Sequence, residues 1–327
     1  MSDTRAAGGS SAATSPAPGT GTTRRAAIDI GTVTTRLLIA DVTGDGQITE
    51  CERIVRITQL GRGLAQTGRL GTAGLQAVLD QLDVYAALIA DYCVAPENLR
   101  AVATSAARDA ANANELLSAA AARGVPIQVI DGDTEARLAY TGATYGRMGR
   151  DLLVCDPGGG STEFVLGDRD ADGIRLGFAR SLDIGSRRLT DMFLQADPPT
   201  PGQLADCRDY VCSQIDAVRD ALPRNPRELI AVAGTATSMV TVKHGIVDYR
   251  PALVQGQVIT RADMEMLVTA FATVPTAVRA TIPGLEPDRA GVVLAGALIL
   301  AGVLDVLGLD RFTVSDTDLL HGLVLTA

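Results

Sequence analysis

Asp156-Pro157-Gly158-Gly159-Gly160-Ser161-Thr162-Glu163 is the stretch on which the reading of this chain turns. Leu152, Leu153 and Val154 run into it as an apolar strand, and Ser161-Thr162 lead out of it into a second. Three successive glycines expose unshielded backbone N–H groups, and a concave nest of such groups binds phosphate oxygens. The hydroxyls of Ser161 and Thr162 add donors, and Asp156 with Glu163 could hold a divalent cation directly or through water. An ordinary tight hairpin would need no acidic pair.

A weaker copy lies earlier, at Ile28-Asp29-Ile30-Gly31-Thr32-Val33-Thr34-Thr35-Arg36-Leu37. Superposed on the first stretch, Asp29 falls on Asp156, Gly31 on Gly158, Thr34 on Ser161 and Arg36 on Glu163. A repeat of this kind fixes architecture. Two strand–turn–strand units, each with an acidic strand end and a hydroxylated turn, suggest two similar domains facing one phosphate chain.

The length of 327 residues suits two domains, and 46% hydrophobic against 20% charged residues allows each a core. Aromatics are 3% with no Trp, against carbohydrate or base-stacking platforms. A net charge of −9 excludes a general nucleic-acid binder. Any phosphate site must therefore be made locally positive by arginines, amides or metal. Five scattered cysteines without a C-x-x-C pair, and only His244 and His321 beside them, argue against zinc and for a reducing cytoplasm.

Residues 1–25 are mostly Ser, Thr, Ala, Gly and Pro and are expected to be a disordered tail. They lack the apolar region of a signal peptide, and Asp29 interrupts the stretch after Arg24-Arg25. Strands are expected from Ala26, over residues 36–42 and over 48–60. A helix from about Thr72 to Tyr92 follows, with Leu75, Val78, Leu82, Tyr85 and Ile89 on one face. A strand at 99–103 leads to Thr104-Ser105 as caps for a helix carrying Arg108, Asp109 and Asn112. A strand at 125–130 ends at Asp131-Gly132-Asp133, capping a helix that opens with Glu135-Ala136-Arg137.

The second half restarts the order. Its strands are expected at 151–155, 162–167 and 173–181, with helices at 185–195 and 201–222. A strand at 229–233 follows, then helices from Gly234 and over 260–273, a strand at 312–314 and a closing helix from Asp316. The order within each half is the ribonuclease H-like layout, an α/β fold. The apolar run 290–304 is bounded by Arg289 and Asp305. It is short of the ~20 residues a bilayer requires and reads as a buried core helix, so no membrane is expected.

Six blocks carry a resemblance to a known family: 103–110 (ATSAARDA), 132–138 (GDTEARL), 156–163 (DPGGGSTE), 181–190 (SLDIGSRRLT), 234–237 (GTAT) and 284–290 (GLEPDRA). In this order the chain resembles the exopolyphosphatase and guanosine pentaphosphate phosphohydrolase (Ppx/GppA) family in its short two-domain form. The resemblance implies two ribonuclease H-like domains of the acetate/sugar kinase–chaperone ATPase–actin superfamily with an interdomain cleft. The domains are expected at residues 26–134 and 135–327, with the last helix, about 316–327, free to pack back on the first. The same resemblance implies hydrolysis of terminal phosphate from inorganic polyphosphate, with guanosine pentaphosphate the alternative substrate, and a homodimer as an assembly to test.

By the same resemblance Glu135 is the general base. From the residues alone it could equally be a first-turn carboxylate interacting with the helix dipole. Asp156 and Glu163 resemble the residues that place Mg²⁺. Gly158, Gly159, Gly160 and Ser161 would cradle the scissile phosphate, with Gly31, Thr32 and Thr34 opposite. Arg108 matches a phosphate-contacting arginine, against a helix salt bridge as the alternative. Arg36 could contribute the same charge or face solvent. Gly234 and Thr235 correspond to the superfamily's nucleotide-side turn. Arg187 and Arg188 could merely anchor a helix start.

This chain departs from the family pattern at Val33, where Asn is usual, at Thr134, where a first glutamate is usual, and at Pro157, where Ile is usual. The further helical domain of longer relatives has no counterpart, which favours shorter phosphate chains or some other phosphate ester as the expected substrate. A superfamily kinase and a non-catalytic polyphosphate or alarmone sensor are the rival readings.

Overall fold

The structure, a computed structural model, describes residues 21–326. In the first half, strands β1 (Thr22–Ile30), β2 (Thr34–Thr43) and β3 (Ile48–Ile57) form an antiparallel meander. Helix α1 (Thr72–Asp91) leads to β4 (Leu99–Ala103), then α2 (Ser105–Asp109) and α3 (Ala113–Ala121) to β5 (Ile127–Val129), and α4 (Gly132–Ala143) closes the unit. β4 and β5 lie parallel to β1, giving the order β3-β2-β1-β4-β5.

The second half repeats this plan. β6 (Gly149–Pro157), β7 (Thr162–Asp170) and β8 (Gly173–Leu182) form the meander, followed by α5 (Ser186–Phe193) and α6 (Pro201–Ala221). β9 (Glu228–Ala231), α7 (Ala233–His244), β10 (Val258–Thr260), α8 (Arg261–Ala272), α9 (Val293–Leu307), β11 (Arg311–Val314) and α10 (Leu319–Thr326) complete it. The order is β8-β7-β6-β9-β11, with β10 added antiparallel at the edge. Both sheets thus carry the ribonuclease H-like order.

Side-chain alternation sorts the strands between layers. Ile28, Ile30, Leu37 and Ile39 face α1, while Ala27, Leu38, Ala40 and Val42 face α10. Leu153, Cys155, Phe164 and Leu166 join the core with α6 to α9, while Leu152, Val154 and Val165 pack on α4. Sheets covered on both faces read as nearly continuous apolar runs, which is what these strands are. The apolar run 290–304 lies within the buried core as part of α9 and its approach. Among the described residues no helix is long and apolar enough to cross a membrane.

α4 and α10 lie between the two sheets and meet without side chains at two places. A Cβ on Gly142 would fall 1.7 Å from the Asp318 carbonyl oxygen, and one on Gly322 would fall 2.1 Å from that of Leu138. This contact holds α4, which carries Glu135, on a helix that covers the first sheet.

Four local expectations are corrected. β1 starts at Thr22 because buried Arg24 donates to both carboxylate oxygens of Asp41 on β2, at 2.8 and 2.9 Å. The expected tail is shortened accordingly, and its residues 1–20 lie outside the described residues. β3 ends at Ile57, since the Thr58 and Gln59 amides turn back to the Val33 carbonyl, both at 2.9 Å. The helix after β4 is broken into α2 and α3, with Asn112 between them bonded by its side-chain amide to both backbone groups of Leu70. Thr104 makes no side-chain cap there. Thr260 does cap α8, in a capping box with Asp263, but it also ends the unexpected β10.

Candidate active site

The two turns are closed by the same bond. Gly31 N–H donates to Thr34 O at 2.8 Å, and Gly158 N–H to Ser161 O at 2.9 Å. In both, the carbonyls are taken from behind. Gly61 N–H reaches Thr32 O, and Thr58 and Gln59 reach Val33 O. On the other side Ser186 N–H reaches Gly158 O, and Arg187 and Arg188 reach Gly159 O, at 2.8–3.1 Å. With the carbonyls turned away, peptide geometry sends the intervening amides forward. No backbone carbonyl among the described residues accepts from the amides of Gly159, Gly160 or Ser161. Such free, converging N–H groups are an anion nest.

The turns also touch. A Cβ on Gly159 would lie 2.6 Å from Val33 Cγ2, and one on Gly160 would lie 2.4 Å from Ser105 Oγ and 2.7 Å from Thr32 Oγ1. Here glycine is demanded by close approach rather than by φ. Val33, at the position of the missing Asn, spends its side chain on this contact. Thr134, the second departure, is exposed on the outer side of α4, away from the cleft.

Above the turns opens a cavity of about 1000 Å³ between the two halves. Every expected site residue lines it except Arg108, which reaches its edge through Glu135. Glu135 stands in the first turn of α4 behind the Asp131 cap, 8% exposed, and accepts from Arg108 Nη1 at 2.6 Å. Burial pushes its carboxyl up, Arg108 opposes that, and the result is about 7.

Cross-strand register exposes a contrast between the copies. Asp29 pairs with Arg36 on β1–β2, and Asp156 pairs with Glu163 at the matching place on β6–β7. The first pair is neutralised within the protein. Arg36 gives Nε (2.9 Å) and Nη2 to Asp29, and Nη1 to Asp318. It is buried and all three nitrogens are on carboxylates, so it neither faces solvent nor presents a vacant nitrogen to the cleft.

The second pair is two opposed carboxylates, an arrangement that costs stability unless compensated. Burial pushes Asp156 up to about 8 and Glu163 well above its usual range. Ser181 Oγ donates to Glu163 at 2.7 Å. Asp29 Oδ1 is buried with no protein partner. These all-oxygen donors suit a hard cation such as Mg²⁺. Among the described residues no set of three or more His, Cys, Asp or Glu is arranged to hold a metal, so such an ion would lean on two carboxylates, water and substrate oxygens, as Mg²⁺ commonly does.

The remaining expected residues have partners of their own. Thr235 Oγ1 donates to Pro157 O at 3.0 Å. Gly234 lies under the guanidinium of Arg289, where a Cβ would meet Nη1 at 2.2 Å. Ala233 before it holds φ at 62°, a strained conformation of the kind concentrated at functional sites.

Arg289 and Asp318 are charged cleft residues outside the expected site set. Arg289 is half-buried, lines the cavity and donates from Nε to Glu286 at 3.0 Å. Asp318 is buried against Arg36; burial alone would raise it, but Arg36, His321 and Arg53 hold it well below the usual carboxylate range. Its signal was present: acidic residues follow β11 just as Asp29 and Asp156 end their strands.

The profile of the Ppx/GppA phosphatase family matches residues 38–327. The chain belongs to the Ppx/GppA phosphatase family. Exopolyphosphatase 2 of Mycobacterium tuberculosis is 33% identical over 320 residues, covering 93% of this chain and 98% of its own. A solved exopolyphosphatase-like protein superposes with a TM-score of 0.88 at 32% identity, over 94% of this chain and 98% of the other. The Aquifex aeolicus Ppx/GppA family member does so with a TM-score of 0.77 at 31% identity, over 93% and 97%. As a Ppx/GppA member this chain is an exopolyphosphatase-like phosphohydrolase with the two-domain actin-like fold of that family.

Proposed function

We propose that the chain releases terminal phosphate from inorganic polyphosphate by attack of a water molecule activated by Glu135. The observation that carries this reading is the carboxylate of Glu135, buried at the cleft, fixed by Arg108 and raised to about 7. A base poised near neutrality is suited to taking a proton from water. The amides of Gly159, Gly160 and Ser161 would receive the oxygens of the terminal phosphate, with the Thr32 and Thr34 hydroxyls on the facing turn. Arg108 orients the Glu135 carboxylate, and Arg36 keeps Asp29 neutralised. Phosphoryl transfer depends mostly on such positioning and charge compensation.

Asp156 and Glu163 would hold Mg²⁺, directly or through water, and the ion would supply the positive charge that a polyanion needs in this acidic cleft. The scattered cysteines, with Cys155 and Cys207 buried in the core, fit a reducing cytoplasm as the compartment. Polyphosphate as a substrate is supported by the exopolyphosphatase relatives. Guanosine pentaphosphate is the second reading, favoured by a specific observation. The cavity lining includes the apolar side chains of Ile246, Val247, Ile282 and Leu285 and the ring of Tyr249, for which a bare phosphate chain has no use.

Orthophosphate release from short polyphosphate, long polyphosphate and guanosine pentaphosphate, each with Mg²⁺, tests both readings. Release from polyphosphate at the highest kcat/KM is expected. A preference for the nucleotide would establish the second reading, and no release from any of the three would overturn both. The metal assignment has its own readout. At ten times its Kd, Mg²⁺ should stabilise the wild-type fold by about 1.4 kcal/mol, a rise of a few degrees in Tm. Asp156→Asn should lose that rise, and a wild-type Tm indifferent to Mg²⁺ would remove the ion from this site.

A further inference from the structure

Two of the three carbonyls of the Gly158–Gly160 turn are capped by backbone amides of α5, bonds that any side chain at those positions would leave in place. The third is different. Gly160 O accepts from the side chain of Arg188, whose Nε lies 2.8 Å away. Gly160 is also the glycine pressed against Ser105 and Thr32 of the first half. From this point the guanidinium continues across the boundary, and its Nη2 donates to Asp109 at the end of α2.

α2 spans five residues, and the residue before Asp109 is Arg108, which holds Glu135 at 2.6 Å and the Ile130 carbonyl at 2.9 Å. A continuous path therefore runs from the phosphate turn of the second half to the base: Gly160 O, Arg188, Asp109, Arg108, Glu135. Arg188 lies behind the turn, in a recess shared with Gly61 and Asp109, and does not line the cleft.

We propose that Arg188 is a positioning residue, which sets the spacing between the Gly158–Ser161 phosphate turn and the Arg108–Glu135 pair by bonding Gly160 and Asp109 together. This rests on the hydrolytic role of Glu135 given above. The pair is partly exposed, with the Arg188 side chain 23% and that of Asp109 35% accessible, so its direct worth to stability is small. Its worth to geometry is larger, because a misplacement of about 1 Å between reacting groups costs on the order of 100-fold in rate.

Steady-state phosphate release from polyphosphate and deuterium exchange together test this. Arg188→Ala should lower kcat by about 10-fold to 100-fold while KM changes little. Arg188→Lys should recover part of the loss. Asp109→Ala should reproduce it, and the double variant should be no worse than the poorer single one. Exchange in the peptides covering 156–163 and 103–110 should rise together in Arg188→Ala. A purely structural arginine would lower Tm and leave kcat per folded molecule unchanged. Unaltered kcat, additive losses or unaltered exchange in either peptide overturns the inference. Inactivity of the wild type would instead defeat the hydrolase reading, and the exchange result would still decide the fate of Arg188.

Discussion

Glu135→Gln should lower kcat for phosphate release by roughly 10²- to 10⁴-fold, the range that loss of a positioned general base produces. Glutamine keeps the volume and can still accept from Arg108, so the fold and the Arg108 contact should survive and KM should hardly move. The pH profile supplies a second check. Burial raises the Glu135 carboxyl to about 7 against the pull of Arg108. A base works only when ionised, so wild-type kcat should climb as pH rises through about 7 and level off above it. The residual rate of Glu135→Gln should lack that rise. Full activity in the variant would remove Glu135 from the chemistry.

Gly160→Ala is expected to be nearly as damaging, for a steric reason. Its Cβ would sit 2.4 Å from Ser105 Oγ and 2.7 Å from Thr32 Oγ1. Rotating the two hydroxyls still leaves Ser105 Cβ 3.0 Å away, so relief requires the Gly160 turn to shift off α2, an overpacking cost of about 1–3 kcal/mol that should also cost on the order of 100-fold in kcat. Gly44→Ala is the control, since a Cβ there meets nothing within 4 Å and φ is ordinary. Tm and kcat/KM measured for both variants give the contrast. Equal activity in Gly160→Ala and Gly44→Ala would mean that the closeness of the turns does not matter to turnover.

Much of this site was legible in the chain itself. The repeat of an acidic strand end and a glycine-hydroxyl turn is local in sequence, and β-hairpin register follows directly from it, so the pairings of Asp29 with Arg36 and Asp156 with Glu163 could be superposed by eye. Strand order was readable because each half lists its elements in the same sequence. The second partner of Arg36 was not readable, because Asp318 lies 282 residues away in the chain. Arg108 presented the same difficulty. Its choice between phosphate and carboxylate depends on where α2 and α4 meet, which no local pattern records. Arg188 looked like a helix-start residue because its two partners, Gly160 and Asp109, belong to different halves.

The placement of α10 has a consequence for biosynthesis. Leu319, Leu320, Leu323 and Val324 cover the face of the first sheet made by Ala27, Leu38, Ala40 and Val42. Arg25 on β1 donates to the Val324 carbonyl at 2.6 Å. While the ribosome is still making the second half, that face of β1 and β2 lacks α10 and keeps only its smaller cover from Ile130 and Leu138. The first-made sheet is therefore expected to stay aggregation-prone, or chaperone-bound, until α10 has left the exit tunnel.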